Sequence, residues 1–325
     1  MGAVSSRLPI VSVSLFRRLS AITLGLVALI VLTGAGVRLT GSGLGCSDWP
    51  DCTRGHLTPA LHFHSMIEFS NRMVTVVLVI AVAITFLAAL RRRPYRRDLV
   101  WLSAGLVVGI LAEAVVGGIV VYTKLNPYVV SVHFLATMLL LVNAVVLLHR
   151  SDRDYRSGSG HLLVPRAVLW FYRGVIALLG VVIIAGSATT GTAPDAGGAS
   201  GQLVAKRIPV SLRTMTEIHA GFALLLLGMT IGLVVVLMVI DVPERVRKAG
   251  RILLIVMAAQ AGVGYTQFFT HLPAVLVEIH ELGVTVLLIG VTQSFMAITF
   301  HGPEVGDESG GIEPKRAVAN NLANG

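Results

Sequence analysis

Asn71, His133, His219 and His280 stand at matching places, a few residues into every second hydrophobic stretch of the chain. An imidazole inside a bilayer must face a partner, a cavity or a metal, so three such histidines mark candidate functional sites. Two imidazoles facing each other across a helix bundle can hold a haem iron between them. His219 and His280 make up one complete pair. His133 has Asn71 in the partner position, and an amide is a poor ligand for haem iron, so this half offers an iron with one open face. His62 or His64, just ahead of Asn71, are the alternative ligands; His64 precedes Asn71 by seven residues, two helical turns. Met215 and Met229 read as packing residues rather than ligands.

Glu68 lies three residues before Asn71, on the same helical face, with Arg72 four residues beyond it. A carboxylate near hydrocarbon is costly unless paired or protonated. Glu68 is therefore either an acid or base beside the first site or an ion-pair partner of Arg72. Glu113, Glu217, Glu278 and Glu281 pose the same question from weaker positions. The two cysteines, Cys46 and Cys52, fall in Gly-Leu-Gly-Cys-Ser-Asp-Trp-Pro-Asp-Cys. Their spacing fits neither a C-x-x-C redox motif nor a zinc knuckle. An even count on the extracytoplasmic side permits a disulfide, as a structural clip or as an exposed, reducible bond.

The elements that must position these residues are membrane spans. Of 325 residues, 54% are hydrophobic and 13% charged, outside the range of a water-soluble globule. Apolar stretches long enough to cross the bilayer occupy roughly 17–39, 66–90, 99–122, 128–149, 167–190, 214–240, 251–270 and 275–299. The fold class is all-α, a polytopic membrane protein of eight transmembrane helices. The first stretch is too long for a signal-peptide core and reads as a retained span.

Arginine and lysine crowd the N-terminus and the connections after spans 2, 4 and 6, including Arg7, Arg91, Arg92, Arg93, Arg153, Arg156, Arg247 and Lys248. The alternate connections carry far fewer, so both termini are expected in the cytoplasm. This rule and anionic lipid account for the net charge of +9, leaving no case for nucleic acid. The tail, 301–325, has a composition expected to be disordered.

Shifting the chain on itself by 147 residues superimposes Glu113 on Gln260, Gly117 on Gly264, Leu125 on Leu272 and His133 on His280; a shift of 148 places Asn71 on His219. The chain reads as two pseudo-symmetric four-helix bundles, 1–150 and 165–300, joined by a cytoplasmic linker, 151–164. Four spans return the chain to its starting side, so the halves are parallel repeats.

The string Thr33-Gly-Ala-Gly-Val-Arg-Leu-Thr-Gly-Ser-Gly-Leu-Gly-Cys-Ser-Asp-Trp-Pro-Asp-Cys52, then Ile67-Glu-Phe-Ser-Asn-Arg72 and the later histidines, resembles the haem A synthase family, in its bacterial class with two loop cysteines. The likeness covers about residues 15 to 300. It implies an eight-helix membrane oxidoreductase that converts a methyl group of haem O into the formyl group of haem A for cytochrome oxidase. It implies a prosthetic haem b on His219 and His280 in the C-terminal half. Substrate haem would lie in the N-terminal half on His133 and the position of Asn71, beside Arg72, with Glu68 as the essential acid and Cys46 and Cys52 as the loop pair. Implied partners are a haem O synthase that supplies substrate, the assembling cytochrome oxidase and membrane lipid; homo-oligomerisation is left open. The family's Glu-x-x-His-Arg reads Glu-x-x-Asn-Arg here, with Glu68 and Arg72 in register. Two other functions compete. A di-haem electron-transfer cytochrome would want a second complete histidine pair, and a transporter would place its polar site at the midplane.

Overall fold

The computed structural model describes residues 10–59, 61–152, 161–193 and 206–300. Arg7, Arg153, Arg156, most of the linker expected at 151–164 and the tail lie outside the described residues. Eight helices run in chain order: α1 (Val13–Leu39), α2 (Phe63–Arg91), α3 (Arg97–Tyr122), α4 (Pro127–Arg150), α5 (Arg166–Thr192), α6 (Leu212–Val239), α7 (Glu244–Phe269) and α8 (Ala274–Ala297). All eight are long and apolar enough to cross a membrane, and the protein is a multi-pass membrane protein.

Local chemistry sets the helix starts. The side chains of Ser12, Asn126 and Ser211 accept the backbone N–H groups of Leu15, Tyr128 and Thr214, and Pro127 opens α4 at a position that needs no N–H. Pro165, Pro243 and Pro273 stand immediately before α5, α7 and α8. The seventh helix begins seven residues ahead of the apolar stretch read from the sequence. Its first two turns are polar, with Arg251 pairing back to Glu244, so hydropathy misses a segment that hydrogen bonding keeps helical.

Each half closes into a ring. The contacts run α1 to α2, α3, α4 and back to α1, and α5 to α6, α7, α8 and back to α5; the halves meet through α1, α4, α5 and α8. The diagonal helices α2 and α4, like α6 and α8, make no close backbone contact, so only side chains bridge them. Polar pairs stitch neighbours together: Thr23 to Thr85 at 2.9 Å, Asn143 Nδ2 to the carbonyl of Leu102 at 3.1 Å, and Tyr172 to Ser294 at 3.0 Å. Such bonds stabilise a membrane bundle by about 0.6 kcal/mol each, where lipid removes the hydrophobic drive between helices. Large apolar side chains such as Leu139, Val239 and Ile255 point outward, as a lipid-facing surface requires.

One connection is repeated. After α3, Lys124 and Leu125 both take left-handed backbone, φ 51° and 59°; after α7, His271 and Leu272 do the same, φ 62° and 59°. In each, the second of these residues donates its N–H five residues back, Leu125 to Val120 and Leu272 to Gln267. Two successive non-glycine residues in this region are uncommon. Their recurrence 147 positions apart gives α3–α4 and α7–α8 one common register.

The opposite end is tied by short strands the sequence does not announce. His161–Leu162 (β1) pairs antiparallel with Thr299–Phe300 (β2), and Val11 bridges Arg92. With the Arg17–Asp152 ion pair at 3.2 Å, these gather the start of α1 and the ends of α2, α4 and α8 at one face.

Candidate functional site

His133 and His280 both lie six residues into their helices, His219 seven and Asn71 eight. At 1.5 Å per residue all four sit about 9–12 Å from the helix ends opposite the strand-tied face. Each histidine ring lies against a glycine of the preceding helix. A Cβ on Gly117 would stand 3.7 Å from His133 Cε1, one on Gly186 3.0 Å from His219 Cε1, and one on Gly264 3.1 Å from His280 Cε1. In the two hairpins the glycine precedes its histidine by sixteen residues, the spacing set by the repeated turn. These glycines are the functional residues sequence reasoning undervalued; two surfaced only as matches in the repeat.

His219 and His280 reach across the diagonal between α6 and α8, with ring centres 6.3 Å apart and planes at 80°. A bond of about 2.0–2.1 Å from each imidazole nitrogen to a central metal, plus roughly 1.1 Å from nitrogen to ring centre, sets ligating rings about 6.3 Å apart. His219 Nδ1 lies 3.1 Å from the carbonyl oxygen of Val182, which it can serve as donor, leaving Nε2 as the free ligand atom. His280 Nδ1 is buried without a hydrogen-bond partner. Among the described residues no group of three or more His, Cys, Asp and Glu could hold a metal ion. A pair of neutral imidazoles with unspent nitrogens fits haem iron.

The first half is built differently. His133 Nδ1 approaches Glu113 Oε2 to 2.6 Å, short of ideal hydrogen-bond angles, and Thr137 donates to the same oxygen at 2.9 Å. The Asn71 amide oxygen accepts from Thr33 of α1 at 2.6 Å, so this side chain is turned to a neighbouring helix rather than to Glu68. Asn71, Thr33 and His62 line a cavity of 620 Å³, within the range of roughly 300–1,000 Å³ typical of cofactor pockets. His64 is not among its lining residues; its Nδ1 contacts Ser42 Oγ at 3.0 Å. Of the two alternative ligands, His62 shares a cavity with Asn71 and His64 is engaged by the loop.

Glu68 is 6% exposed and faces the connection between α1 and α2. Its Oε2 accepts the N–H of Cys46 at 2.8 Å, and its Oε1 accepts from Arg72 at 2.6 Å. Arg72 donates onward to the carbonyls of Asp48 and Asp51 at 3.0 and 2.9 Å. The carboxylate is thus both ion-paired and tied to the loop, an acceptor that no pattern in the sequence could reveal. Cys46 and Cys52 are joined in a disulfide. They are 0% and 1% exposed, which fits the structural clip and not the alternative of an exposed bond. The loop folds inward: Trp49 packs on Gly118, Tyr122 donates to the Trp49 carbonyl at 2.5 Å, and Gly45 lies against the backbone of His64 where no side chain would fit.

Of the remaining acids two find ion-pair partners, while Glu278 keeps one buried carboxylate oxygen without a hydrogen-bond partner. Glu281 of α8 pairs with Arg38 of α1 at 3.6 Å across the two halves, and Glu217 pairs with Arg213 at 2.9 Å on an exposed surface.

Because the disulfide closes a short loop that carries the Glu68 contact, replacing both cysteines by serine is expected to cost about 2 kcal/mol by loop-closure entropy. A lowered thermal midpoint in detergent checks this. Thiol reagent applied to intact cells should label neither cysteine until reductant is added; full labelling without it would contradict the bond.

A family model described as cytochrome oxidase assembly protein, COX15-CtaA, matches residues 17–65 and 58–292. The chain is 35% identical over 126 residues to a heme A synthase of Geobacillus kaustophilus, covering 37% of this chain and 38% of that protein. It is 34% identical over 126 residues to the heme A synthase of Geobacillus thermodenitrificans, with the same coverage. It is 32% identical over 165 residues to that of Staphylococcus saprophyticus, covering 50% of this chain and 54% of that protein. The matches thus span from 38% to 54% of the length of these relatives. With the family match running through seven helices and into the eighth, the chain belongs to the COX15-CtaA family of cytochrome oxidase assembly proteins.

Proposed function

We propose that this protein carries out the reaction of a haem A synthase, oxidising a methyl group of haem O to the formyl group of haem A for cytochrome oxidase. The observation that carries the reading is the pairing of His219 and His280 at 6.3 Å in one half, against the other half, where His133 has no histidine opposite it and Asn71 lines a cavity with His62. The activity of the three heme A synthases described above supports it.

In this reading residues 165–300 are the prosthetic half, where His219 and His280 hold haem b. Bound there, the group supplies one-electron transfer. With both His219 and His280 committed to holding that group, the chemistry would belong to the first half, residues 1–150. Converting a methyl group to a formyl group with water removes four electrons and four protons, so a proton acceptor and an electron route are both required. His133 holds substrate iron from one side. Asn71, bound to Thr33, leaves the other side to a small molecule or to His62 in the same cavity.

Glu68 is the residue of choice for proton transfer, with Arg72 and the Cys46 N–H aligning its two oxygens. The buried disulfide acts as a clip that keeps this backbone donor in place. The haem sites lie toward the extracytoplasmic face of a bacterial plasma membrane, with both termini in the cytoplasm, and a haem O synthase supplies substrate.

His219→Ala and His280→Ala are each expected to abolish the low-spin haem b absorption of the purified protein. A spectrum unchanged in both variants would remove the assignment.

In a host that makes haem O, the parent is expected to accumulate haem A. Glu68→Gln keeps the shape and an oxygen for Cys46 but loses the ionisable group, so haem A formation should fall by about 10²-fold or more with bound haem retained. Normal yield would refute the proton-transfer role, and loss of the disulfide in that variant would mark Glu68 as a structural tie instead.

A further inference from the structure

The duplication provides an internal comparison around the three histidines. At one repeat position α3 carries Glu113 and α7 carries Gln260. The Gln260 amide donates to the backbone carbonyl of His280 at 2.9 Å, and the His280 ring has no partner at Nδ1. The His219 ring meets a backbone carbonyl. His133 Nδ1 also falls short of hydrogen-bond angles, but it alone of the three faces a carboxylate, at 2.6 Å, and Glu113 is 9% exposed, with Thr137 holding the same oxygen. Two bare acceptors cannot stand at that separation, so a proton lies between them; with it on Nδ1, Nε2 keeps the free electron pair.

We infer that Glu113 is a positioning residue for substrate iron: it fixes the His133 ring with Nε2 free and makes that imidazole a stronger electron donor than either histidine of the second half. A carboxylate behind a ligating imidazole raises the basicity of the ligand. Hydrogen bonding behind an axial ligand is one of the means by which a protein sets the potential of a haem. The first site therefore stabilises oxidised iron more than the second. Iron held by His133 would give up electrons more readily than iron held by His219 and His280, in the direction that oxidation of a methyl group requires. The inference rests on the reading of His133 as the ligand of substrate haem.

The test uses purified full-length protein holding its second-site haem and loaded with haem O. Midpoint potentials of both haems and the iron–imidazole stretching frequency are read in the parent, Glu113→Gln and His133→Ala. Glu113→Gln is expected to raise the first-site potential and lower its stretching frequency, leaving the second-site potential unmoved. If His133→Ala leaves the spectrum of added haem O unchanged, the ligand reading fails and the inference falls with it. If His133→Ala abolishes that signal while Glu113→Gln leaves potential and frequency at the parent values, the inference alone is overturned. The second-site low-spin band reports folding in the same samples. Should Glu113→Gln lose that band, Thr137→Val is read in its place. It frees the Glu113 oxygen for the imidazole alone and is expected to lower the first-site potential; no shift would overturn the inference.

Discussion

A histidine ring in hydrocarbon must face a partner, a cavity or a metal, and the end of this molecule opposite the strand-tied face is arranged around that requirement. Helices packed at ordinary distance would leave no room for an imidazole between them. Gly186 and Gly264 supply the room by presenting no side chain to the ring, while at Gly117 a Cβ would make ordinary contact with His133. The paired left-handed residues after α3 and α7 then set the register that brings glycine and histidine level. Because diagonal helices do not touch, the side chains at that level face an interior gap rather than a neighbour's backbone.

The same scaffold is filled differently in its two halves. In the second, two histidines meet across the gap, one anchored by a backbone carbonyl and the other with a nitrogen to spare. In the first, the equivalent of His219 is Asn71, which is satisfied by Thr33, and the balance of polar chemistry moves to Glu113 beside His133 and to Glu68 under the loop. The disulfide belongs to the first half. It closes the loop whose backbone N–H and carbonyls engage Glu68 and Arg72, joining a loop clip to a buried charge pair. A buried pair of this kind is strongly destabilised by loss of one partner, which is why the conservative Gln variant is the informative one.

Periodic and compositional features were legible in the sequence. Eight apolar stretches, the asymmetry of arginine between connections and the 147-residue repeat each arise from patterns along the chain, and all eight helices are found. The matched depth of the four stations followed from their places a few residues into alternate apolar stretches. What escaped was non-local. Nothing adjacent to Glu68 indicates that its acceptor role is toward the N–H of Cys46, twenty-two residues earlier, and nothing near His133 names Glu113 on the facing helix. Whether the loop cysteines are exposed stayed open because the loop is polar, yet Trp49 and Tyr122 draw it onto α3. The start of α7 was hidden because hydropathy records lipid contact, whereas its first turns are a polar helix beyond the apolar layer.

The central claim is that two related sites differ in kind, one closed by a histidine pair and one open. Electron paramagnetic resonance on protein purified without haem O, then titrated with it, addresses this directly. One low-spin signal per chain is expected at the start, joined by one high-spin signal as haem O fills the first site, and in Asn71→His the added signal should become low-spin. Two low-spin signals in the parent, or an added signal indifferent to Asn71→His, would contradict the account.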